Sequence, residues 1–378
     1  MSYDAVSRHR SMALDHVRNA AYLRAMQPII HRESVVLDAG AGLGVLGIAA
    51  AKLGARRVYL LEPAPVALLA EEIARANGVA DRVVVLRGRI EELDLPEQVD
   101  VITSVFTGNS LFSEDLLPSL YRARDRWLKP EGYMIPDAAE LVVAPVCAER
   151  FNDENVLPWS QPCIGVDLSS ARRFAVNEIY GANRSGLPPT QLAEPTALVS
   201  LDLGHTMQDA CDAESTLSVT QSGVCHAICV WIRLRLGDET LSSDPQSPEV
   251  HWTPQLFPVY PAIPVDAGDE MFIRMQRPAF GDWSWIVRVG REERRHSEFL
   301  SRPMTPSEFR GRAGSARPAL NALGRAMAWA LAQISDGVTN TELALGLVQN
   351  FAEAFPGLDE ANVFVQRIIR HYAEFPKR

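Results

Sequence analysis

Residues 35–63 have the types and spacing of a nucleoside-binding unit. An apolar run ends in Asp38, and a second apolar run further on ends in Glu62. Three glycines follow the first run at alternate positions: Gly40, Gly42 and Gly44. Glycines let the backbone approach a ligand closely, and an acid at the end of the second strand can accept hydrogen bonds from both ribose hydroxyls. The pattern predicts a strand–loop–helix–strand unit that holds a nucleoside.

The glycine pattern by itself fits two kinds of cofactor. NAD-binding domains use G-x-G-x-x-G, which Gly42, Gly44 and Gly47 match. Two details favour S-adenosyl-L-methionine. Asp38 lies two residues before the first loop glycine, and the loop D-A-G-A-G-L-G is close to the methyltransferase form D-x-G-x-G-x-G. Another nucleotide in the same fold is the alternative.

Composition and charge exclude several classes of protein. The chain has 378 residues, 47% of them hydrophobic, and a formal net charge of −10. These values are typical of a globular protein and argue against a partner that is a nucleic acid or an anionic membrane. The five cysteines have no C-x-x-C spacing, which predicts reduced thiols, no metal site and a cytoplasmic location. No apolar leader or run of transmembrane length is visible.

Hydrophobic periodicity divides the chain into regions that would position this chemistry. Residues 1–30 have helical spacing, and residues 31–137 alternate strands and helices, which predicts a Rossmann-like parallel sheet. Residues 138–305 carry short β-rich runs, which predict an antiparallel barrel or sandwich with a helical excursion at about 165–194. Amphipathic stripes in residues 315–378 predict a C-terminal helical module. The predicted fold class is therefore α/β followed by β.

Four separate segments carry a family resemblance. The first is Tyr3 followed by His9-x-x-Met12-x-x-Asp15-x-x-Arg18-x-x-x-Tyr22, and the others are VVVLRGRIEELDL at 83–95, RARDRWLKPEGYMIP at 122–136 and HWTPQLF at 251–257. In this order, from Tyr3 to about residue 300, the chain resembles the protein arginine methyltransferases. The resemblance implies a class I methyltransferase domain that uses S-adenosyl-L-methionine and releases S-adenosyl-L-homocysteine. It also implies the family's β-barrel, with a dimerisation arm at about 165–194 and hence a homodimer.

The same resemblance assigns the cofactor contacts. Tyr3 and Met12 would belong to helices that fold over the cofactor, with Met12 bordering the reacting methyl. Arg18 would pair with the methionine carboxylate, which a guanidinium can grip through two hydrogen bonds. Ile90 and Glu91 would flank the adenine. The alternative interpretation is that Arg18 is an ordinary surface arginine on an N-terminal helix.

A second group of residues would handle the proton and the acceptor. In the family's geometry His251 faces Asp15, and the pair would tie the barrel to the N-terminal helix and help to remove a proton. A structural hydrogen bond is the alternative role for His251. Trp252 would be a core residue or a wall of the substrate site.

One departure from the family pattern bears on the acceptor. Arginine methyltransferases carry two glutamates on one hairpin after the fourth strand, and the pair holds the guanidinium. Here Glu114 matches the second glutamate, whereas the first falls on Val105, beside Phe106. A valine accepts no hydrogen bond, and each buried donor left unpaired costs about 1–3 kcal/mol. The hairpin predicts an acceptor with fewer donors than guanidine: an imidazole, an amine, a hydroxyl or an activated carbon.

The C-terminal region also departs from the family. Ile334-Ser-Asp-Gly337, Thr339 and Glu342 resemble PqqD-like winged-helix elements that bind leader peptides. A helical cap or a dimerisation module explains the same pattern equally well.

Three functions follow from these observations. The leading hypothesis is an S-adenosyl-L-methionine-dependent methyltransferase that acts in biosynthesis on a non-guanidine nucleophile of a peptide or a small specialised metabolite. The second is an arginine methyltransferase for free or peptidyl arginine, with another carboxylate such as Asp115 compensating. The third, from a different class, is a catalytically inactive scaffold that binds the cofactor.

Overall fold

The structure of the protein is a computed structural model that describes residues 6–182, 189–335 and 337–373. The chain divides into two units, one ending at Pro303 and one beginning at Met304, and each is described by itself. Tyr3 lies outside the described residues, as do residues 183–188 of the predicted arm and Asp336 of the segment that resembles PqqD-like elements.

A parallel sheet forms the first half of the first unit. Its strands are β1 (Val35–Ala39), β2 (Arg57–Glu62), β3 (Val83–Arg87), β4 (Val99–Ser104) and β5 (Leu128–Ile135). The spatial order is β3-β2-β1-β4-β5, and every neighbouring pair is parallel. All of β1 is buried because helices cover both faces of such a sheet, which explains the unbroken apolar run at its start. The strand order reverses direction between β1 and β4, the place where such sheets bind ligands.

Five helices accompany this sheet: α1 (Val6–Ala13), α2 (His16–Met26), α3 (Val45–Lys52), α4 (Ala67–Ala76) and α5 (Leu117–Trp127). Asp15 caps α2 by accepting a hydrogen bond from the backbone N–H of Arg18 at 2.9 Å. The α3 helix begins directly after the glycine turn and packs on β1 and β2. The loop between β1 and α3 is therefore held at the carboxyl end of the sheet.

Antiparallel strands form the second half of the first unit. One sheet has the order β7-β13-β11-β6-β8, with β9 added on β6 and β12 on β11, and the other has the order β10-β14-β15-β16. The bounds are β6 (Ala138–Cys147), β7 (Tyr180–Gly181), β8 (Thr190–Gln191), β9 (Thr196–Asp202), β10 (Cys211–Ser218), β11 (Gly223–Leu236), β12 (Glu239–Ser242), β13 (Gln255–Val265), β14 (Glu270–Arg277), β15 (Ser284–Val289) and β16 (Glu292–Ser297). Between β6 and β7 lie α6 (Glu149–Asn155), a 3-10 turn (Leu157–Ser160) and α7 (Ser169–Ala175), and a second 3-10 turn (Glu298–Ser301) follows β16.

Within its described residues, 304–335 and 337–373, the second unit has helices joined by loops. They are α8 (Pro306–Gly311), α9 (Ala322–Ser335), α10 (Asn340–Asn350) and α11 (Leu358–Tyr372). A separate core forms where the three longer helices meet, around Leu343, Leu347 and Val365. Thr339 and Glu342 form a capping box at the start of α10.

The parallel sheet, the antiparallel sheets and the C-terminal helices confirm the predicted fold class. The strands that the sequence did not predict include β10 and β16, whose letters are mostly polar: CDAESTLS and EERRHS. Each has one face toward solvent, so hydrophobicity alone does not mark it. On α11, Val363 is 63% exposed and lies outside the buried face of the helix.

Candidate active site

A cavity of about 570 Å³ opens at the carboxyl end of the parallel sheet. Its walls come from α1 and α2, the turn after β1, the end of β2, the hairpin after β4, and the loop before β13. The predicted site residues that line it are Met12, Arg18, Asp38, Gly40, Gly42, Glu62, Val105, Phe106, Glu114, His251 and Trp252. Residues far apart in the sequence thus share one space.

The glycine turn lets two neighbouring rings lie directly against its backbone. Gly40 and Gly42 have φ of +75° and +54°, which L side chains rarely adopt. A methyl group on Gly40 would collide with the ring of Phe106, and one on Gly42 would lie 3.0 Å from Nδ1 of His9. Glycine is therefore required at Gly40 to leave room for Phe106, and both glycines lie in the wall of the cavity.

Two carboxylates hold this turn in place. Asp38 accepts a hydrogen bond from the backbone N–H of Gly47 at 2.8 Å, and Glu62 accepts from Gly42 at 2.9 Å and from Ala64 at 2.8 Å. Burial raises the pKa of Asp38 to about 7, although the Gly47 N–H and the Arg18 charge act in the opposite direction. A cation bound here would favour the ionised form of Asp38.

Arg18 is 4% exposed and lines the cavity, so it is not the surface arginine of the alternative interpretation. Its Nη2 donates to the carbonyl of Met12 at 2.7 Å and to Oδ1 of Asn19 at 2.6 Å. These contacts hold a positive charge inside the cavity. A carboxylate on a ligand could pair with it there.

Asp15 and His251 form a buried pair between α2 and the antiparallel half. Oδ2 of Asp15 lies 2.7 Å from the backbone nitrogen of His251 and 2.9 Å from its Nδ1. Burial would raise the pKa of Asp15, but hydrogen bonds from His251 and Arg18 lower it overall, so the carboxyl is ionised. An ionised partner at Nδ1 fixes the proton there and leaves Nε2 with its lone pair. Burial lowers the pKa of His251, so the ring is neutral at neutral pH.

The hairpin after β4 forms the remaining wall. Glu114 is exposed at the open side of the cavity, whereas Val105 is half-buried. Gly108 has φ of +53°, and a methyl group on it would lie 2.9 Å from Oε1 of Glu114. Asn109 accepts a hydrogen bond from the backbone N–H of Thr253 at 2.8 Å, which ties the hairpin to the loop that carries His251.

Asp115 is engaged elsewhere. Nη1 and Nη2 of Arg277 donate to its two carboxylate oxygens at 2.7 Å and 2.8 Å, and the backbone N–H of Phe280 donates at 2.9 Å. The acidic residues that line the cavity, among those the structure describes, are Asp38, Glu62 and Glu114. The first two lie on the nucleoside side, so Asp115 does not supply a second acceptor carboxylate.

Some predicted residues lie outside the cavity lining. Ile90 is buried in the core beside β1, and Glu91 is exposed and accepts a hydrogen bond from Ser119 at 2.5 Å. Gly44 faces Leu60, and Asp15 acts through His251. Their predicted roles stay predictions.

Sequence reasoning missed two lining residues in particular. His9, whose side chain lies against Gly42, stands three residues before Met12 on the same helix, and that spacing was a signal for it. Asn109 had no signal, because its contact is with Thr253, 144 positions away.

The residues present fit S-adenosyl-L-methionine. Gly40 and Gly42 place backbone without side chains at the cavity wall, Glu62 has carboxylate oxygens for ribose hydroxyls, and Arg18 offers a charge for the methionine carboxylate.

Comparison with known proteins gives the same picture. Residues 15–136 match the family model of ribosomal protein L11 methyltransferase (PrmA), and residues 137–279 match the arginine methyltransferase oligomerization subdomain. Protein arginine N-methyltransferase 6 of Xenopus laevis is 35% identical over 267 residues, which cover 66% of this chain and 77% of the relative. The Xenopus tropicalis protein of that name is 33% identical, with 71% and 83% covered. Histone-arginine methyltransferase CARMER of Drosophila ananassae is 31% identical, with 66% of this chain and half of the relative covered.

Solved structures agree. The Trypanosoma brucei PRMT1 enzyme-prozyme heterotetrameric complex with AdoHcy contains a chain with a TM-score of 0.71 and 28% identity, over 79% of this chain and 99% of that one. Protein arginine methyltransferase 10 of Arabidopsis thaliana shares the fold, with a TM-score of 0.67, 23% identity, and 78% and 99% coverage. Fold and cavity together define an S-adenosyl-L-methionine-dependent methyltransferase. The chain belongs to the protein arginine methyltransferase family.

Membrane-spanning helices and metal-binding clusters are both absent from the described residues. None of their helices is long and apolar enough to cross a membrane. They also contain no cluster of three or more His, Cys, Asp or Glu side chains placed to hold a metal ion.

Proposed function

We propose that this protein transfers a methyl group from S-adenosyl-L-methionine to a nucleophile that is not a guanidinium, on a peptide or a small specialised metabolite. The observation that carries the proposal is Val105, which stands where the family has the first of its two hairpin glutamates. Glu114 then supplies the single carboxylate of the acceptor wall.

The number of hydrogen-bond donors supports this proposal. A guanidinium has five N–H donors in a rigid fork, and one carboxylate accepts two of them in a bidentate pair. Val105 is half-buried and apolar, so donors directed at its side chain would find no hydrogen-bond acceptor there. Each such donor costs about 1–3 kcal/mol. An acceptor with fewer donors avoids that cost.

The side chains of the cavity would divide the chemistry as follows. When bound, the cofactor supplies a methyl group on a positively charged sulfur. Glu114 would orient the acceptor through one N–H or O–H and receive its proton. His251, neutral and held through Nδ1 by Asp15, offers Nε2 as a second proton acceptor. Phe106 and Trp252 would hold the acceptor in line with the methyl.

Arginine, free or peptidyl, is the second candidate, and the relatives favour it over the leading proposal. The Xenopus and Drosophila relatives are named as arginine methyltransferases. This alternative needs a second acceptor group for the guanidinium. The pairing of Asp115 with Arg277 argues against the compensating carboxylate suggested by the sequence.

An inactive scaffold is the third candidate. The Trypanosoma brucei complex pairs an enzyme with a prozyme, so this fold occurs in a complex of that kind. The Asp15–His251 pair and the lining position of Glu114 argue against lost catalysis.

Assembly and location are also proposals. A homodimer is supported by the match of residues 137–279 to an oligomerization subdomain, with the segment at about 165–194 as its arm. A cytoplasmic location is supported by five cysteines that form no disulfide. Light scattering of the purified protein tests the dimer, and a monomer would overturn it.

The function is tested by the production of S-adenosyl-L-homocysteine with each acceptor class in turn. Amine, imidazole, hydroxyl and guanidine compounds are compared at equal concentration, each against a reaction without acceptor. Turnover with a guanidine compound alone would replace the leading proposal by the arginine alternative. Absence of turnover with every class would support the scaffold.

A further inference from the structure

We propose that the acceptor is a neutral imidazole, the side chain of a histidine in a peptide or in a small metabolite. This inference rests on the proposed function and narrows it to one acceptor class. It follows from the match between the groups that a neutral imidazole presents and the groups that line the acceptor end of the cavity.

The first match is in hydrogen bonds. A neutral imidazole has one N–H donor and, on the other nitrogen, one lone pair in the ring plane. The acceptor hairpin offers one carboxylate, on Glu114, and an apolar side chain, Val105, nine positions before it. The carboxylate can accept the N–H while the carbon edge of the ring contacts the valine. No donor is left without an acceptor.

The second match is in shape. Phe106 packs so closely over the glycine turn that a methyl group on Gly40 would collide with its ring. Trp252 is 3% exposed and lines the same cavity, with its ring centroid 4.4 Å from that of His251. The half-buried ring of Phe106 and the small exposed part of Trp252 are apolar surfaces against which a flat, uncharged ring can pack.

The third match is in protonation. A lysine amine has a pKa of about 10.4, so at neutral pH it is a cation with three N–H donors. A single carboxylate does not accept hydrogen bonds from all three of these donors. A hydroxyl is a weak nucleophile until it loses its proton to a base. An imidazole with a pKa of about 6.5 is already neutral near pH 7 and has its lone pair available.

The step balances with the groups present. The lone pair of the ring nitrogen forms the bond to the methyl carbon while the carbon–sulfur bond breaks, and that electron pair remains on sulfur as a thioether. The ring becomes an N-methylimidazolium, whose charge Glu114 stabilises through the opposite N–H. The proton then passes to Glu114 and on to solvent, which leaves a neutral N-methylimidazole.

The experiment uses the full chain and small side-chain mimics, so that peptide sequence does not influence the result. The mimics are 4-methylimidazole, n-butylamine, ethanol and n-propylguanidine, with S-adenosyl-L-homocysteine and the methylated product measured by mass spectrometry. Peptides with one central histidine, lysine, serine or arginine in randomised flanks are run in parallel. We expect methylation of the imidazole and histidine substrates, with kcat/KM rising as pH increases through the pKa of the acceptor.

One variant tests the role of the hairpin in the reaction, and a second variant is its control. Glu114→Gln removes the negative charge that stabilises the developing imidazolium and should lower imidazole turnover by roughly 100-fold, while the cofactor Kd stays within about twofold. Glu131→Gln, at an exposed position of β5, is the matched control and should leave both unchanged.

The outcomes separate this inference from the proposed function. Methylation of an amine or hydroxyl substrate without methylation of the imidazole overturns the inference and leaves a non-guanidine acceptor in place. Methylation confined to guanidine substrates overturns both. If neither 4-methylimidazole nor the histidine peptides are methylated, the inference is overturned, whichever other acceptor reacts.

Discussion

Arg277 holds Asp115 through two parallel hydrogen bonds of 2.7 Å and 2.8 Å, and Asp115 is the residue directly after Glu114. The arginine side chain is 5% exposed and the aspartate 19%. Asp115 also has a φ of +54°, a left-handed conformation that needs support from its surroundings. The last strand residue of β14 thus anchors the hairpin and sets where Glu114 emerges.

Breaking the pair between Asp115 and Arg277 should reduce kcat more than it reduces the affinity for the cofactor. Asp115→Asn keeps a side chain that tolerates left-handed backbone but leaves the charge of Arg277 buried and unpaired, a change that costs about 3–5 kcal/mol in buried pairs. We expect a lower Tm and a kcat reduced by roughly 10-fold, from about 1.4 kcal/mol of lost positioning. Kinetics and calorimetric cofactor binding measure the two effects separately.

The matched control for this variant is Asp212→Asn, which breaks the exposed pair with Arg274 on the same strand, β14. Surface pairs contribute about 0–1 kcal/mol, so activity and Tm should hardly change. An unchanged kcat in Asp115→Asn would show that Arg277 does not position Glu114.

Gly108 should be required for the conformation of Glu114. Gly108→Ala places a methyl group 2.9 Å from Oε1 of Glu114 and adds a side chain at φ of +53°. Gly237→Ala is the control, because its φ is +64° but no atom lies within 4 Å of the added methyl. Both variants should lose about 1 kcal/mol of stability from backbone strain. Only Gly108→Ala should lose most of its kcat, and equal activities would contradict the proposed contact.

Val105 should decide between acceptors. Val105→Glu adds a second carboxylate to the hairpin wall of the cavity, so turnover of a guanidine compound should appear or rise by at least about 10-fold, and imidazole turnover should fall. Val105→Leu keeps the wall apolar and should retain the wild-type acceptor order. Kinetics with both acceptor classes measure the change. Val105 would not determine the acceptor if Val105→Glu kept the wild-type order.

Asp38 should make the stability of the unliganded protein depend on pH. Burial raises its pKa to about 7, against about 3.9 in an unfolded chain. The protonated form is therefore favoured by folding, so the contribution of Asp38 is fully present below about pH 4 and is lost as pH rises through about 7. Asp38→Asn cannot ionise. Its Tm relative to wild type should rise between pH 5 and 8, and a constant difference would contradict the raised pKa.

Cofactor binding should be linked to the same group. A positively charged sulfonium or ammonium near Asp38 favours its ionised form, so binding below about pH 7 should release a proton. Titration calorimetry in buffers of different ionisation enthalpy measures that release, and Asp38→Asn should abolish it.

The sequence by itself determined the parallel sheet, the glycine turn and the identity of the hairpin residues, because each depends on local spacing. Buried parallel strands are apolar throughout, and left-handed turns select glycine, so both leave a clear pattern in the letters. Val105 lies nine positions before Glu114, and this spacing was enough to place both residues on one hairpin.

Only the tertiary structure decided which distant groups meet. Asp15 and His251 are 236 positions apart, and Asp115 and Arg277 are 162 apart. For the first pair a family resemblance suggested the contact, but nothing local marked Arg277 as the partner of Asp115. Polar strands such as β16 (EERRHS) could not be predicted from the sequence either, because a face exposed to solvent carries no hydrophobic signal. Long-range ion pairs carry no periodicity, since their geometry is set by the packing of the elements that bear them.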